Sequence, residues 1–79
     1  MWSLTRDGLE FGYHARTKED IIKYKNWYID DHVKAEAAAL QLRLWNETQT
    51  KILDSEAQEI ARETLEDIIG YKEVFNEKL

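Results

Sequence analysis

From Thr17 to Thr50 the chain carries no glycine and no proline, and nearly every residue in that run favours a helix. The chain has no proline at all, and its glycines stand at 8, 12 and 70. Thr17-Lys18-Glu19-Asp20 supplies a capping hydroxyl with acids behind it, which suits the free N–H groups and the positive end of a helix. Asp30-Asp31 is the one weak point where a break is conceivable. An unbroken helix of about 32 residues would be roughly 48 Å long at 1.5 Å per residue. Such a rod must be covered by the short segments on either side of it.

The segment before it, residues 1–16, reads as a β-hairpin. Asp7-Gly8 is a strong signal for a type I′ turn, which needs positive φ at both central residues. That turn sets Arg6 against Leu9, Leu4 against Phe11 and Trp2 against Tyr13. Alternation then gathers Trp2, Leu4, Leu9, Phe11 and Tyr13 on one face, with Arg6 at its edge. Ser3, Thr5, Glu10 and Gly12 fall on the other. A lone hairpin is marginal in water, so its apolar face must dock on something.

After the rod, Asp54-Ser55 with Gln58 forms a second capping box, and residues 55–78 read as an acidic amphipathic helix running through Gly70 with a possible kink. Ala57, Ile60, Ala61, Thr64, Leu65, Ile68, Tyr71 and Phe75 make its apolar stripe. Glu56, Glu59, Glu63, Glu66, Asp67, Glu73 and Glu77 fill an arc of roughly 120° opposite. Like charges at i,i+4 spacing cost a few tenths of a kcal/mol per pair. Their concentration on one arc suits either plain solvation or a basic partner, and Glu56, Glu59, Glu63, Glu66 and Asp67 are the candidate docking strip.

The long helix is apolar on two sides. One stripe is Ile22, Ile29, Val33, Ala37, Leu40 and Leu44. A second, about a third of a turn away, is Ile21, Tyr24, Tyr28, Ala35, Ala39 and Leu42, with His32 among them. One partner helix needs one stripe; the second asks for the hairpin over part of its length and a second subunit over the rest. Trp27 and Trp45 are eighteen residues apart, five full turns, and share an azimuth off the first stripe. Large aromatics off a core face are enriched at contact surfaces. Trp27, Trp45, Tyr24, Tyr28 and Leu42 are therefore the candidate oligomer or partner contacts.

Composition narrows the chemistry. A chain of 79 residues is a single domain at most, 1–79, and one without Cys has no disulfide or thiolate metal site. Its two serines fall in the first strand and at a helix cap. His32 and Glu36, one turn apart, make two ligands and not a metal site. The HExxH and paired ExxH patterns are missing, as is a glycine-rich phosphate loop. No catalytic residue, cofactor or metal is expected, and the chain is not expected to be an enzyme.

Residues 1–45 hold seven acids and seven bases, whereas 46–79 hold nine acids and four bases, so the net charge of −5 resides in the last segment. That balance argues against direct binding of nucleic acid or anionic membrane. The longest apolar run, Ala37 to Leu40, is far too short to span a bilayer. With no basic, apolar, small-residue series at the start, the default compartment is the cytoplasm.

The expected fold class is mainly α: an N-terminal β-hairpin packed on a long helix (17–50), plus an antiparallel acidic helix, assembled as a homodimer. A three-helix bundle broken near Asp30-Asp31 is the alternative. The expected function is a non-catalytic protein-binding module whose acidic strip occupies a basic or nucleic-acid-binding surface of a partner protein. Inhibitors of the kind that phages and mobile elements direct at host machines share its size and charge, an analogy and nothing more. A structural homo-oligomer is the second expectation, and a metal-binding helical protein using His32 and Glu36 a remote third.

Overall fold

The computed structural model describes residues 1–75. Its elements run β1 (Trp2–Arg6), β2 (Leu9–Ala15), α1 (Lys18–Thr48), α2 (Asp54–Ile68) and β3 (Ile69–Glu73). The three strands form one antiparallel sheet in the order β2-β1-β3. The fold is mainly α with an N-terminal hairpin, to which a third strand is added.

The hairpin turns at Asp7 (φ 53°) and Gly8 (φ 84°), the two positive angles of a type I′ turn. Arg6 faces Leu9 as the turn requires, but Trp2 faces Ala15 and not Tyr13. The register shifts between Ser3 and Thr5, and β2 carries two extra residues opposite Leu4. Gly12, at φ 103°, supplies the conformation that this bulge needs. Two extra residues preserve alternation, so Phe11, Tyr13 and Ala15 still look the same way as Trp2 and Leu4.

α1 is continuous through Asp30-Asp31, which excludes the broken three-helix bundle. Thr17 caps it, its Oγ1 accepting from the Asp20 N–H at 3.1 Å. α2 starts one residue earlier than expected, at Asp54, and its N-cap is Leu53 with no side-chain cap, so the Ser55–Gln58 box is not formed.

The larger correction is at the C-terminal end. The acidic helix does not continue to residue 78; it stops at Ile68 and the chain becomes a strand. Gly70 and the β-branched pair Ile68-Ile69 already weaken a helix. The decisive term is tertiary: β1 would otherwise present a bare edge, and Leu4↔Tyr71, Thr5↔Gly70 and Arg6↔Ile69 pairing satisfies it. A Cβ on residue 70 would come within 3.1 Å of Thr5 Oγ1, so glycine suits the close strand approach. Tyr71 thus reaches the core from a strand, Phe75 is 75% exposed, and Ile60 and Thr64 lie on the exposed side of α2. The expected helix end, with Glu77, lies outside the described residues.

Two buried clusters sit side by side along α1. Ile29, Val33 and Ala37 pack against Ala57, Ala61 and Leu65 of α2. Ile21 and Tyr28 pack against Leu4, Ala15 and Ile69 of the sheet, with Phe11 and Tyr71 around them. Ile68, the last residue of α2, touches both clusters. The arrangement is long: 56 × 20 × 14 Å with a radius of gyration of 15.6 Å, against about 12 Å for a compact domain of this length.

Leu65 is 1% exposed between the two helices. Leu65→Ala is expected to cost about 2 to 5 kcal/mol in urea unfolding. Leu9→Ala, at a position 74% exposed on the hairpin tip, should stay within about 0.5 kcal/mol. Equal losses at both sites would contradict this core.

Candidate interaction surfaces

At 100° per residue, Ile21, Ile29, Val33 and Ala37 do not line up; they wind about 160° around α1. The sheet covers one azimuth at the N-terminal half and α2 another at the C-terminal half. Both stripes read from the sequence are therefore used, each over part of its length. The unused part of the second stripe forms a bare back face.

That face carries Trp27 (55% exposed), Leu42 (62%) and Trp45 (50%), with exposed Ala35, Ala38 and Ala39 between them. Tyr24 is half-buried and its ring lies 5.6 Å from that of Trp27. Of the five expected contact residues, Tyr28 differs: it is buried. Its ring meets Phe11 at 5.2 Å and Tyr13 at 5.8 Å, both edge-on, and stacks on His32 at 4.0 Å. Arg6 Nη1 donates to the Tyr28 hydroxyl at 2.8 Å.

Two concavities flank the face. Tyr13, Tyr24, Trp27, Tyr28 and Asp31 line a groove of about 280 Å³ where the edge of β2 passes α1. Gln41, Leu42, Trp45 and the 50–54 connection line an open cavity of about 630 Å³ at the far end. Sequence reasoning missed the first, although Tyr24, Trp27 and Asp31 at i, i+3 and i+7 share a helix side. Tyr13 keeps the inner face that alternation assigns it, and only its register beside the bulge at Gly12 had no local signal.

The acidic strip lies on α2 away from α1. Glu56, Glu59, Glu63, Glu66 and Asp67 are all exposed and follow one outer arc over about 16 Å. Glu66 is joined to Lys25 of α1 at 3.7 Å, and Arg62 is joined to Asp30 at 2.8 Å, so both pairs lie along the flank of the helix hairpin. Exposed pairs of this kind contribute little to stability. Glu56, Glu59, Glu63 and Asp67 have no ion-pair partner among the described residues.

A polar patch covers the sheet face turned away from the helices. Lys72 and Glu10 pair at 3.2 Å across the central strand, above Ser3 and Thr5, which are almost fully buried beneath them.

His32 Nδ1 lies 2.8 Å from the Tyr28 carbonyl, which places the ring proton on Nδ1. Stacking and this bond hold the imidazole against the aromatic cluster. Among the described residues, no group of three or more His, Asp or Glu side chains converges on one point, His32 with Glu36 included. No helix of the described residues is long and apolar enough to cross a membrane.

No family model, curated protein or solved structure matches this chain.

Tyr28 separates ring from hydroxyl. Tyr28→Phe loses one partly exposed hydrogen bond and should cost about 1 kcal/mol. Tyr28→Ala removes the centre of the aromatic cluster and should cost about 3 to 5 kcal/mol. Chemical denaturation of both variants checks the ordering; similar losses would assign the stability to the hydroxyl instead.

Proposed function

We propose that the protein is a non-catalytic binding module whose α2 strip docks on a basic surface of a partner protein. The observation that carries the reading is the row Glu56, Glu59, Glu63 and Asp67, exposed on one arc and without counter-ions among the described residues. Self-repulsion along such a row is relieved when lysines or arginines meet it. Four or five carboxylates over about 16 Å give one negative charge per roughly 3 to 4 Å, close to the ~3.4 Å per charge of a single nucleic-acid strand. A groove built to hold a phosphate backbone would accept that spacing. Occupation of such a groove makes the protein an inhibitor of its partner, with no need of a cofactor or metal.

A second reading rests on a different observation. Trp27, Leu42 and Trp45 stand exposed on the back of α1, and homo-oligomerisation would cover them. The two readings use opposite sides of the molecule and are compatible.

The acidic reading is tested with a partner captured from the native host and rebound in purified form. Glu59→Lys with Glu63→Lys should weaken binding at least about tenfold, while the fold is kept, since both sites are exposed. Raising salt from about 50 to about 300 mM should weaken the parent complex further, because exposed charges are screened. Capture that ignores both changes would refute electrostatic docking. Glu66 is left alone because Lys25 holds it.

A further inference from the structure

We propose that the occupant of the bare α1 face is a second copy of this chain, antiparallel, with Trp45 of each copy filling the other's groove between Tyr13, Trp27 and Asp31. The proposal rests on the homo-oligomer reading and adds its register and contacts.

The face has the symmetry such a dimer needs. A two-fold interface is self-complementary: where residue i meets residue j of the other copy, residue j also meets the other copy's residue i. Trp27 and Trp45 share an azimuth and lie equally far, nine residues, from position 36. An axis at that point sets each Trp45 over the other copy's Trp27. Ala35, Ala38 and Ala39 occupy the middle, where side chains no larger than methyl let helix axes approach to about 8 Å. The bulky groups sit at the ends, where each projecting indole meets a recess. The groove of about 280 Å³ is lined by four aromatic rings and one carboxylate. An indole entering it gains edge and stacking contacts, and its N–H has the Asp31 carboxylate to donate to.

Charge favours this side for self-contact. The row of unpaired acids at Glu56, Glu59, Glu63 and Asp67 lies on α2, turned away from this face. On the bare side of α1, Asp20, Lys23, Asp31 and Lys34 sum to zero. Two copies therefore approach through α1 with less repulsion than through any face that includes α2. Antiparallel helices also oppose their dipoles favourably. The three-stranded sheet of each copy then sits beside the partner's bare helical end and not beside its sheet.

The area is sufficient for a modest dimer. Tyr24 to Trp45 spans about 32 Å on a helix some 12 Å wide. Two such corrugated faces bury on the order of 1,000 Å², the lower edge of specific interfaces, so association in the micromolar range is expected.

The chain has no native cysteine, which allows a direct test. Light scattering at about 100 µM should show a dimer, and Trp45→Ala should raise its dissociation constant about 30-fold, as for an aromatic anchor seated in a pocket. Single-cysteine variants at two exposed sites then read the register. In the proposed dimer the two copies of residue 35 are offset by about 3 Å along the axis and those of residue 46 by about 30 Å. Ala35→Cys should form an intermolecular disulfide on mild oxidation, and Asn46→Cys should not. If both cross-link, or if a dimer forms and neither does, the antiparallel register is overturned while the homo-oligomer reading stands. A strict monomer at that concentration, with the parent circular dichroism unchanged, overturns both.

Discussion

The pairing of β3 with β1 is the constraint on which the rest depends. Without it the hairpin is a two-stranded ribbon, marginal by itself, and α2 has no reason to stop at Ile68. With it, the first and last described elements lock together, Ile69 and Tyr71 are delivered to the inner face, and the helix hairpin is closed at one end by the sheet. The backbone N–H of Asp7, in the hairpin turn, donates to the Ile68 carbonyl at 2.8 Å. The turn between the first two strands thus also caps the last turn of α2. A single carbonyl group joins helix, strand and hairpin where sequence-distant parts meet.

α1 is the other organising element, and it is unusual in not being amphipathic along one straight line. Its covered side rotates as the cover changes from sheet to helix. A 31-residue helix covered by a 15-residue helix and a small sheet must leave much of its circumference bare. Charged side chains could have filled that circumference. Instead, its back holds alanines bracketed by aromatic and leucine side chains, and the dimer proposed above rests on that pattern. The outward side of α2 is different again, nearly all carboxylate. The same rod therefore separates an apolar surface from an anionic one.

Local chemistry made most of the fold legible. Asp7-Gly8 specified the turn, Thr17 the start of α1, and alternation the inner face of the hairpin. The acidic arc of α2 and the shared azimuth of Trp27 and Trp45 followed from helix geometry alone, so the components of both surfaces could be read directly. Three things could not. The strand at 69–73 has apolar residues at 69 and 71, a spacing that a strand satisfies, yet 68, 71 and 75 also continue the helical period. Only the open edge of β1, at the other end of the described chain, decides between them. The bulge at Gly12 re-registers β2 by two residues without changing which side chains face inward, so no alternation pattern reveals it. Tyr28 reads as a surface aromatic from its helical position, but the hairpin's Phe11 and Tyr13 close over it.

The sheet brings the beginning of the chain alongside residue 74. The Val74 N–H donates to the Met1 carbonyl at 2.8 Å, and Trp2 stands opposite Glu73. β1 and β3 are antiparallel, so tension applied at these two points acts on the same end of their ladder. The rungs from Trp2–Glu73 toward Arg6–Ile69 would part in succession and not all at once. Such a load peels the sheet like a zip, beginning at the edge farthest from the hairpin turn and ending at the foot of α2. The molecule is thus mechanically soft along that axis, however firmly its two helices are packed.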